Sequence, residues 1–316
     1  MDQNATRRDF LKKSGTACLG TAIAAGIASR AYAAGDDVIR VGLVGCGGRG
    51  SGAANQALNA DKNVKIVALA DAFSDRLEGC LAALKKAAPE KVDVAPEKKF
   101  VGFDACKRLI DSGVDVVLLA EPPHFRPEHL KMAIAAGKHV FCEKPVAVDA
   151  PGVRTVIEAC EEAKKKNLSV VSGLCWRYDP EMRETFKAIH DGAVGDILTA
   201  QVSYNTGGLW SKDRQETWSD MEWQMRNWIY FTWLSGDFIN EQHVHSLDKA
   251  AWAMKDEPPI KCTGIGGRQV RTEKQFGNVY DHFSVVYEYA SGAKVFSSCR
   301  QMVNCDSDVS DHFYGT

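Results

Sequence analysis

Residues 137–145, with the sequence GKHVFCEKP, combine a helix end, a short apolar strand and a charged pair followed by proline. The charged pair, Glu143 and Lys144, comes where the strand ends, and ligands of open α/β folds bind at this carboxyl edge of the sheet. A lysine ammonium at that edge can hydrogen-bond a reacting hydroxyl and help it lose its proton. This chemistry suits alcohol oxidation, although a plain surface Glu–Lys pair after an edge strand has the same spacing.

Residues 240–248, NEQHVHSLD, hold a second group of titratable side chains. In a helix, Glu241 and His245 lie on one face, and Asp248 follows about one turn later. A carboxylate beside the imidazole can orient it as a general base, which alcohol oxidation needs. We therefore predict Lys144, Glu241 and His245 as the catalytic residues, with a buried structural histidine as the alternative.

Neither the histidines nor the cysteines form a convincing metal-binding pattern. In a helix, His243 points away from Glu241 and His245, so the three are a poor ligand set. In an extended segment His243 and His245 would share a face, which leaves a metal as an alternative interpretation. The ten cysteines include no CxxC pair. We predict that no metal is bound.

Residues 38–50, VIRVGLVGCGGRG, predict a strand, a glycine-rich turn and the start of a helix. Gly45, Gly47 and Gly50 fit the GxGxxG pattern of dinucleotide-binding folds. Gly45 allows the sharp turn, Gly47 lets the backbone approach a pyrophosphate, and Gly50 lets the helix pack on the strand. A lone match is weak evidence, because glycines are common in ordinary loops.

The context of the turn strengthens the prediction of a dinucleotide site. Asp71 ends a second apolar run about 20 residues after Gly50, where a Rossmann fold places the acid that binds the adenosine ribose. A carboxylate there favours NAD because it would repel the extra phosphate of NADP. Arg76, a few residues further on, leaves NADP open as an alternative.

The order of strands and helices predicts an α/β fold in two parts. Strands and helices alternate from residue 38 to residue 173, which indicates a Rossmann-type, doubly wound parallel sheet with helices on both faces. Four later strand-like runs indicate an α+β domain with a large, mostly antiparallel open sheet. These runs are residues 196–205, 260–270, 282–289 and 293–301. We place the dinucleotide-binding domain at 35–176 and the substrate domain at 177–316.

The first 34 residues predict a twin-arginine export signal. Residues 6–12, TRRDFLK, carry the arginine pair, a weakly apolar stretch follows at 16–28, and AYA at 31–33 is a small-residue cleavage site. The stretch is too short and too weakly apolar for a convincing membrane span. We expect a periplasmic or otherwise exported protein with no membrane span in its mature form. The net charge of −2 gives no general attraction to nucleic acid.

Together, five segments resemble the Gfo/Idh/MocA oxidoreductases. They are the glycine turn, Asp71, and the sequences AEPPHFRPEH (120–129), GKHVFCEKP (137–145) and EQHVHSLD (241–248). The resemblance implies a Rossmann domain followed by an α/β domain whose open sheet forms a homo-oligomer, a dimer or tetramer. Because members usually continue beyond the last strand recognised here, we also expect the chain to be truncated at its C-terminus.

The resemblance also implies roles for single residues. Lys144 matches the catalytic lysine of the EKP motif, and His245 matches the histidine of the D-x-x-x-H pair. Glu241 replaces the aspartate of that pair, so its carboxylate can either orient His245 or reach the substrate itself. His243 replaces a small residue, which either narrows the pocket or adds a polar contact. The predicted cofactor-binding residues are Gly45, Gly47, Gly48, Arg49, Gly50, Asp71, Pro122, His124, Glu143 and Lys144. The predicted substrate-binding residues are Trp176, Arg177, Arg226, Trp228, His243 and Asp248.

Three functions remain open from the sequence. The first is a nicotinamide-dependent oxidoreductase acting on a secondary hydroxyl of a sugar, cyclitol or glycoside. The second is a redox-neutral, NAD-dependent glycoside hydrolase, and the third is a sugar-binding protein without turnover. The aromatic-rich residues 210–233 suit sugar faces, although packing explains most single aromatics equally well. Because free nicotinamide is scarce outside the cytoplasm, an exported protein would need a slowly dissociating cofactor.

Overall fold

Six parallel strands form the first sheet, in the order β3-β2-β1-β4-β5-β6. They are β1 Ile39–Val44, β2 Val64–Asp71, β3 Lys99–Val101, β4 Val116–Leu119, β5 His139–Cys142 and β6 Val170–Ser172. The computed structural model describes residues 37–316, so the predicted export signal at 1–34 lies outside the described residues. The strand order reverses between β1 and β4, which makes that position the switch point of a doubly wound sheet.

Helices cover both faces of this sheet. They are α1 Gly48–Ala60, α2 Ser74–Ala87, α3 Ala105–Asp111, α4 Arg126–Ala135 and α5 Ala150–Lys165. On one face Leu43 packs with Leu58 of α1 and Leu77 of α2. On the other face Val44 belongs to the apolar core formed with α3, α4 and α5. Successive side chains of β1 therefore enter opposite cores, as the alternation along a strand requires.

The second sheet has five strands in the order β11-β7-β10-β9-β8. They are β7 Ile197–Thr206, β8 Lys261–Gly267, β9 His282–Glu288, β10 Lys294–Gln301 and β11 Asp311–Gly315. β10 runs parallel to β7, and the other neighbouring pairs are antiparallel. The prediction of a Rossmann sheet followed by a mostly antiparallel sheet is confirmed.

Two strands differ from the sequence prediction. Beyond the last strand predicted from the sequence, Asp311–Gly315 forms β11, which pairs with β7. The three-residue β3 at the edge of the first sheet was also not predicted. Both strands are short, and each depends on a partner distant in the chain, so local patterning carries little signal for them.

The second sheet has helices on one face. Further helices are α6 Pro180–His190, α7 Asp220–Arg226, α8 Thr232–Ser235, α9 Asp237–Glu241 and α10 Val244–Ala253. Ala250 of α10 packs with Val202 of β7 and Val295 of β10. Phe186 of α6 stacks on Trp252 of α10, with ring centroids 4.0 Å apart.

Val38–Thr316 forms one compact unit. The domain boundary predicted near residue 176 falls between the two sheets and stays a prediction. Among residues 37–316, no helix is long and apolar enough to cross a membrane.

Candidate active site

The glycine turn between β1 and α1 is built so that side chains are excluded at two positions. Gly45 has φ +90°, and a Cβ there would lie 2.4 Å from the backbone nitrogen of Glu121. A Cβ on Gly50 would lie 1.8 Å from the carbonyl oxygen of Gly45. At Gly47 and Gly48 a Cβ would meet no atom within 4 Å, so these two glycines border open space.

A cavity of about 650 Å³ lies over this turn. Its wall includes Gly45, Gly47, Gly48, Arg49, Gly50, Asp71 and Pro122 of the predicted cofactor-binding set. The carboxylate of Asp71 accepts hydrogen bonds from the N–H groups of Cys46, at 2.6 Å, and Phe73, at 2.9 Å. Burial raises the pKa of Asp71, and these N–H groups oppose the shift. Asp71 therefore ties the end of β2 to the glycine turn at the cavity wall.

Glu121 contributes a buried acceptor to the same cavity. It follows β4, and its Oε1 lies 2.9 Å from Nδ1 of His129. Its Oε2 is buried and has no hydrogen-bond partner among the described residues. An acceptor of this kind suits a hydroxyl or amide of a dinucleotide, and with the open glycines it shows that the cavity fits such a ligand. Glu121 was not predicted as a site residue, although its place just after a strand was a usable signal.

The end of β5 is anchored through its neighbours. Arg49 donates through Nε to Oε1 of the buried Glu143, at 2.6 Å. The peptide bond between Lys144 and Pro145 is cis. The buried guanidinium of Arg126 donates to the carbonyl oxygens of Pro145, at 2.6 Å, and Glu121, at 2.5 Å. Arg126, also missed in the sequence, thus fixes the backbone after β4 and β5 together.

Lys144 and Glu241 meet as a largely buried ion pair. Nζ of Lys144 donates to Oε1 of Glu241 at 2.8 Å and to the carbonyl oxygen of Glu241 at 2.5 Å. The two side chains are 19% and 10% exposed. Glu241 ends α9, and α10 begins only at Val244, so the continuous helix assumed for the Glu241 and His245 pair is interrupted. The described bonds join Glu241 to the lysine, and its predicted catalytic role beside His245 stays a prediction.

His243 is buried and His245 is half-buried, and both are electrically neutral near pH 7. Burial lowers the pKa of His245 to about 4, assisted by the positive charges of Lys144 and Lys249. Its Nδ1 is buried and has no hydrogen-bond partner among the described residues. His243 is fully buried, and its Nε2 lies 2.7 Å from the Ser297 hydroxyl. Burial likewise lowers the pKa of His243 to about 4. His243 therefore has the surroundings of a core residue, and its predicted substrate contact stays a prediction.

Two predicted substrate-binding residues, Arg177 and Asp248, form an ion pair with each other. Nη2 of Arg177 donates to Oδ1 of Asp248 at 2.9 Å, and Nε lies 3.0 Å from Oδ2. Arg177 also bonds Asp256 and lies over the ring of Trp252. This pairing occupies the carboxylate of Asp248, and the predicted contacts of Arg177 and Asp248 with substrate stay predictions. Trp176 is 37% exposed.

Two other predicted substrate residues, Arg226 and Trp228, line the cavity above the glycine turn. Their position favours contact with a dinucleotide, and their predicted contact with sugar stays untested. His124, predicted to bind cofactor, is exposed, and its ring packs edge-on against Trp233 at 5.0 Å. Among residues 37–316, no group of three or more His, Cys, Asp or Glu side chains could hold a metal.

Tyr204 of β7 is a further polar group near the ion pair. Burial and the charge of Glu241 raise the pKa of its hydroxyl, and its ring lies edge-on to His243. Nothing in the sequence singled it out, because an isolated tyrosine in a strand is an ordinary core residue. The structure brings Lys144, Glu241, His245 and Tyr204 into one region.

A doubly wound sheet with a glycine turn at its switch point and a cavity over that turn define a dinucleotide-binding α/β protein. Comparison with known families agrees. Residues 39–172 match the oxidoreductase family with an NAD-binding Rossmann fold, and residues 182–316 match the GFO/IDH/MocA C-terminal domain. The chain belongs to the Gfo/Idh/MocA oxidoreductase family, which confirms the resemblance, and its Rossmann domain is of the NAD-binding type.

The similarity to known relatives and solved structures extends over most of the chain. Inositol 2-dehydrogenase of Paracoccus denitrificans is 33% identical, over 84% of this chain and 68% of that protein. The 2,7-anhydro-N-acetylneuraminate hydratase of Escherichia coli is 27% identical, over 81% of this chain and 60% of that protein. Levoglucosan dehydrogenase, solved with NADH and levoglucosan, shares the fold with a TM-score of 0.68 and 20% identity, over 89% of this chain and 72% of that one.

Proposed function

We propose that this protein is an NAD-dependent oxidoreductase that removes hydride from a secondary hydroxyl of a sugar, cyclitol or glycoside. The observation that carries the proposal is the ammonium of Lys144, which the backbone after β5 and the carboxylate of Glu241 hold beside the neutral His245. Two proteins similar to this chain are named inositol 2-dehydrogenase and levoglucosan dehydrogenase, and these names support the proposed substrate class.

The chain's own groups have complementary tasks in this reaction. An ammonium has three protons, and two of those of Lys144 go to the carboxylate and carbonyl of Glu241. The third can bind the substrate oxygen and stabilise the negative charge that develops as the hydroxyl loses its proton. His245 is neutral and has a free ring nitrogen, so it can accept that proton. The nicotinamide of NAD supplies the hydride acceptor when bound.

The test compares wild type and Lys144→Ala for NADH formation over a panel of inositols, hexoses and glycosides. We expect the variant to lose at least about 100-fold in rate, because a charged donor to the developing alkoxide is removed. Lys131→Ala, which removes an exposed lysine of α4, is the matched control. Equal rates for wild type and Lys144→Ala would contradict the assignment.

A second candidate is the redox-neutral hydrolase, in which the sugar is oxidised, eliminates its aglycone, adds water and is reduced again. The similarity to a protein named as a hydratase favours this candidate, because hydration involves no net oxidation. A glycoside that loses its aglycone without net NADH formation would identify this reaction. Net NADH formation with an intact glycoside would exclude it.

We also propose that the protein is exported folded, with its dinucleotide bound. Support comes from the arginine pair at residues 7–8 and the small-residue site at 31–33. Replacing both arginines by lysine should keep the protein in the cytoplasm, as cell fractionation would show. Rapid exchange of the bound nucleotide with free NAD during dialysis would argue against a retained cofactor.

The open sheet is proposed to form a homo-oligomer. Helices cover the face of this sheet that carries Val202 and Val295. By strand register the opposite face carries Phe296, Ile265 and Tyr314, which are 48%, 75% and 51% exposed. A second copy that covers this face would remove these large apolar side chains from water.

A further inference from the structure

Residues 207–228, here called the strap, follow β7 and reach the cavity of the glycine turn. Trp210, Lys212, Arg226 and Trp228 form part of the wall of the 650 Å³ cavity. A second cavity of about 510 Å³ adjoins the turn on the side of α2, and its wall also includes Lys212 and Arg226. Residues common to both walls mark where the cavities meet: Gly47, Gly48, Arg76, Lys212 and Arg226.

The backbone of Lys212 is held in place, while its ammonium is free. Its N–H donates to Oδ1 of the buried Asn227 at 2.8 Å, and its carbonyl accepts from the indole of Trp223 at 3.0 Å. Asn227 in turn donates to the carbonyl of Gln275 at 2.7 Å. Within residues 37–316 the ammonium has no hydrogen-bond or ion-pair partner. A fixed backbone thus presents an unneutralised cation to the junction of the two cavities.

The strap is fastened to the Rossmann sheet's helices through Arg226. Its guanidinium binds the carboxylate of Asp75 in α2 with two bonds of 3.0 Å each. It also bonds Glu222 and lies 4.0 Å from the ring centroid of Phe73. The Arg226 side chain is 13% exposed, and it lowers the pKa of Asp75. Because these acids neutralise Arg226, the free positive charge of the strap at this junction is that of Lys212.

Gly47 and Gly48, which line the same two cavities as Lys212, indicate which ligand the cation would meet. Gly47 and Gly48 begin α1, and the first N–H groups of a helix carry partial positive charge that favours phosphate. Both glycines border open space. We propose that Lys212 binds a phosphate group of the dinucleotide, and that the ion pair of Arg226 and Asp75 holds the strap over the bound cofactor. The proposal rests on the NAD binding of the proposed function.

Two phosphates have the required chemistry: the pyrophosphate present in both cofactors, and the 2′-phosphate present only in NADP. The test measures how fast the full chain releases bound NADH, and separately NADPH, when chased with excess oxidised nucleotide. The readout is the loss of nicotinamide fluorescence, so turnover is not needed. The variants are Lys212→Ala and, as control, Lys274→Ala, which removes an exposed lysine that lines neither cavity.

We expect Lys212→Ala to speed release roughly 10- to 100-fold, because a charge-assisted hydrogen bond is lost. Faster release of both nucleotides would show that Lys212 binds the pyrophosphate. Faster release of NADPH alone would show that it binds the 2′-phosphate. Unchanged release of both overturns the proposal. Failure of the wild type to bind either nucleotide would overturn the proposed function as well.

The fastening is tested with Asp75→Asn, which keeps the shape of the side chain but removes its charge. We expect faster release of both nucleotides, while the matched change Glu78→Gln, on the same helix and paired with Lys99, leaves release unchanged. The thermal unfolding midpoint should stay the same in both, since both acids are exposed. If Asp75→Asn and Glu78→Gln release nucleotide at the same rate, the ion pair does not hold the strap.

Discussion

At the scale of single residues, the ion pair of Lys144 and Glu241 affects both the stability of the fold and the proposed reaction. A buried cation is costly unless it is paired, and Glu241 supplies both a carboxylate and a carbonyl oxygen. One carboxylate oxygen, Oε2, is itself buried without a partner among the described residues. The carboxylate of Glu241 thus keeps one acceptor that the pair with Lys144 does not use.

Removing one member of this pair should be more harmful than removing both. Glu241→Ala leaves Lys144 buried and unpaired, and we expect the free energy of unfolding to fall by about 3 kcal/mol. The double variant Lys144→Met, Glu241→Leu should recover most of that loss. Urea denaturation measures both. Glu161→Ala, in an exposed pair with Lys164, is the control and should change little. Equal losses in the single and double variants would contradict this account.

The buried histidines make stability depend on pH. His243 and His245 have a pKa of about 4 in the folded protein, and an unfolded histidine has a pKa of about 6.5. The unfolded state therefore binds more protons as pH falls, so stability is fully present above about pH 6.5 and decreases toward pH 4.

We expect the free energy of unfolding to be lower at pH 5 than at pH 7, as urea denaturation at both values would show. His243→Asn should reduce this difference, because one of the two buried imidazoles is gone. His312→Asn, at an exposed position of β11, should leave the difference unchanged. A wild type equally stable at both pH values would show that these histidines are not buried in the neutral form.

At the scale of elements, two glycines of the turn between β1 and α1 have different roles. Gly50 is needed for helix packing, and Gly47 is predicted to be needed for cofactor binding. Gly50→Ala places a methyl group 1.8 Å from the Gly45 carbonyl, so α1 must shift off the sheet. We expect this variant to lose both stability and NAD binding. Gly47→Ala meets no atom within 4 Å, so stability should fall by less than about 1 kcal/mol while NAD binding is lost. Thermal unfolding and NADH titration of both variants measure this. Retained NADH binding by Gly47→Ala would show that no phosphate approaches this position.

Sequence patterns were sufficient to predict some of these elements and not others. The apolar runs of β1, β2, β4 and β5 were recognisable because buried parallel strands are continuously apolar. By contrast, the break between α9 and α10 was not, because i, i+4 spacing cannot show that the helix stops after Glu241. Because the helix stops there, the N–H of His245 donates to the carbonyl oxygen of Gln242, and the carbonyl oxygen of Glu241 accepts from Lys144 instead.

For the whole molecule, the uncovered face of the second sheet predicts assembly. Phe296→Glu places a charge at the centre of this face, in register with Gln201 of β7 and Val286 of β9. We expect wild type to be a dimer or tetramer and the variant to be monomeric, as light scattering after gel filtration would show. Ser203→Ala, a buried position of β7, serves as a control for sheet packing. A monomeric wild type would contradict the predicted interface.

The sequence by itself determined the Rossmann half and the NAD-binding class of the turn, and it predicted the position of Lys144 at a strand end. These features depend on local order: a strand, glycines at set positions and a charged pair at a strand end. Only the tertiary structure decided which charges meet. It paired Lys144 with Glu241 and Arg177 with Asp248, and it carried Lys212 to the glycine turn from the other half of the chain. Such contacts join residues about 70 to 160 positions apart, and local periodicity contains no information about them.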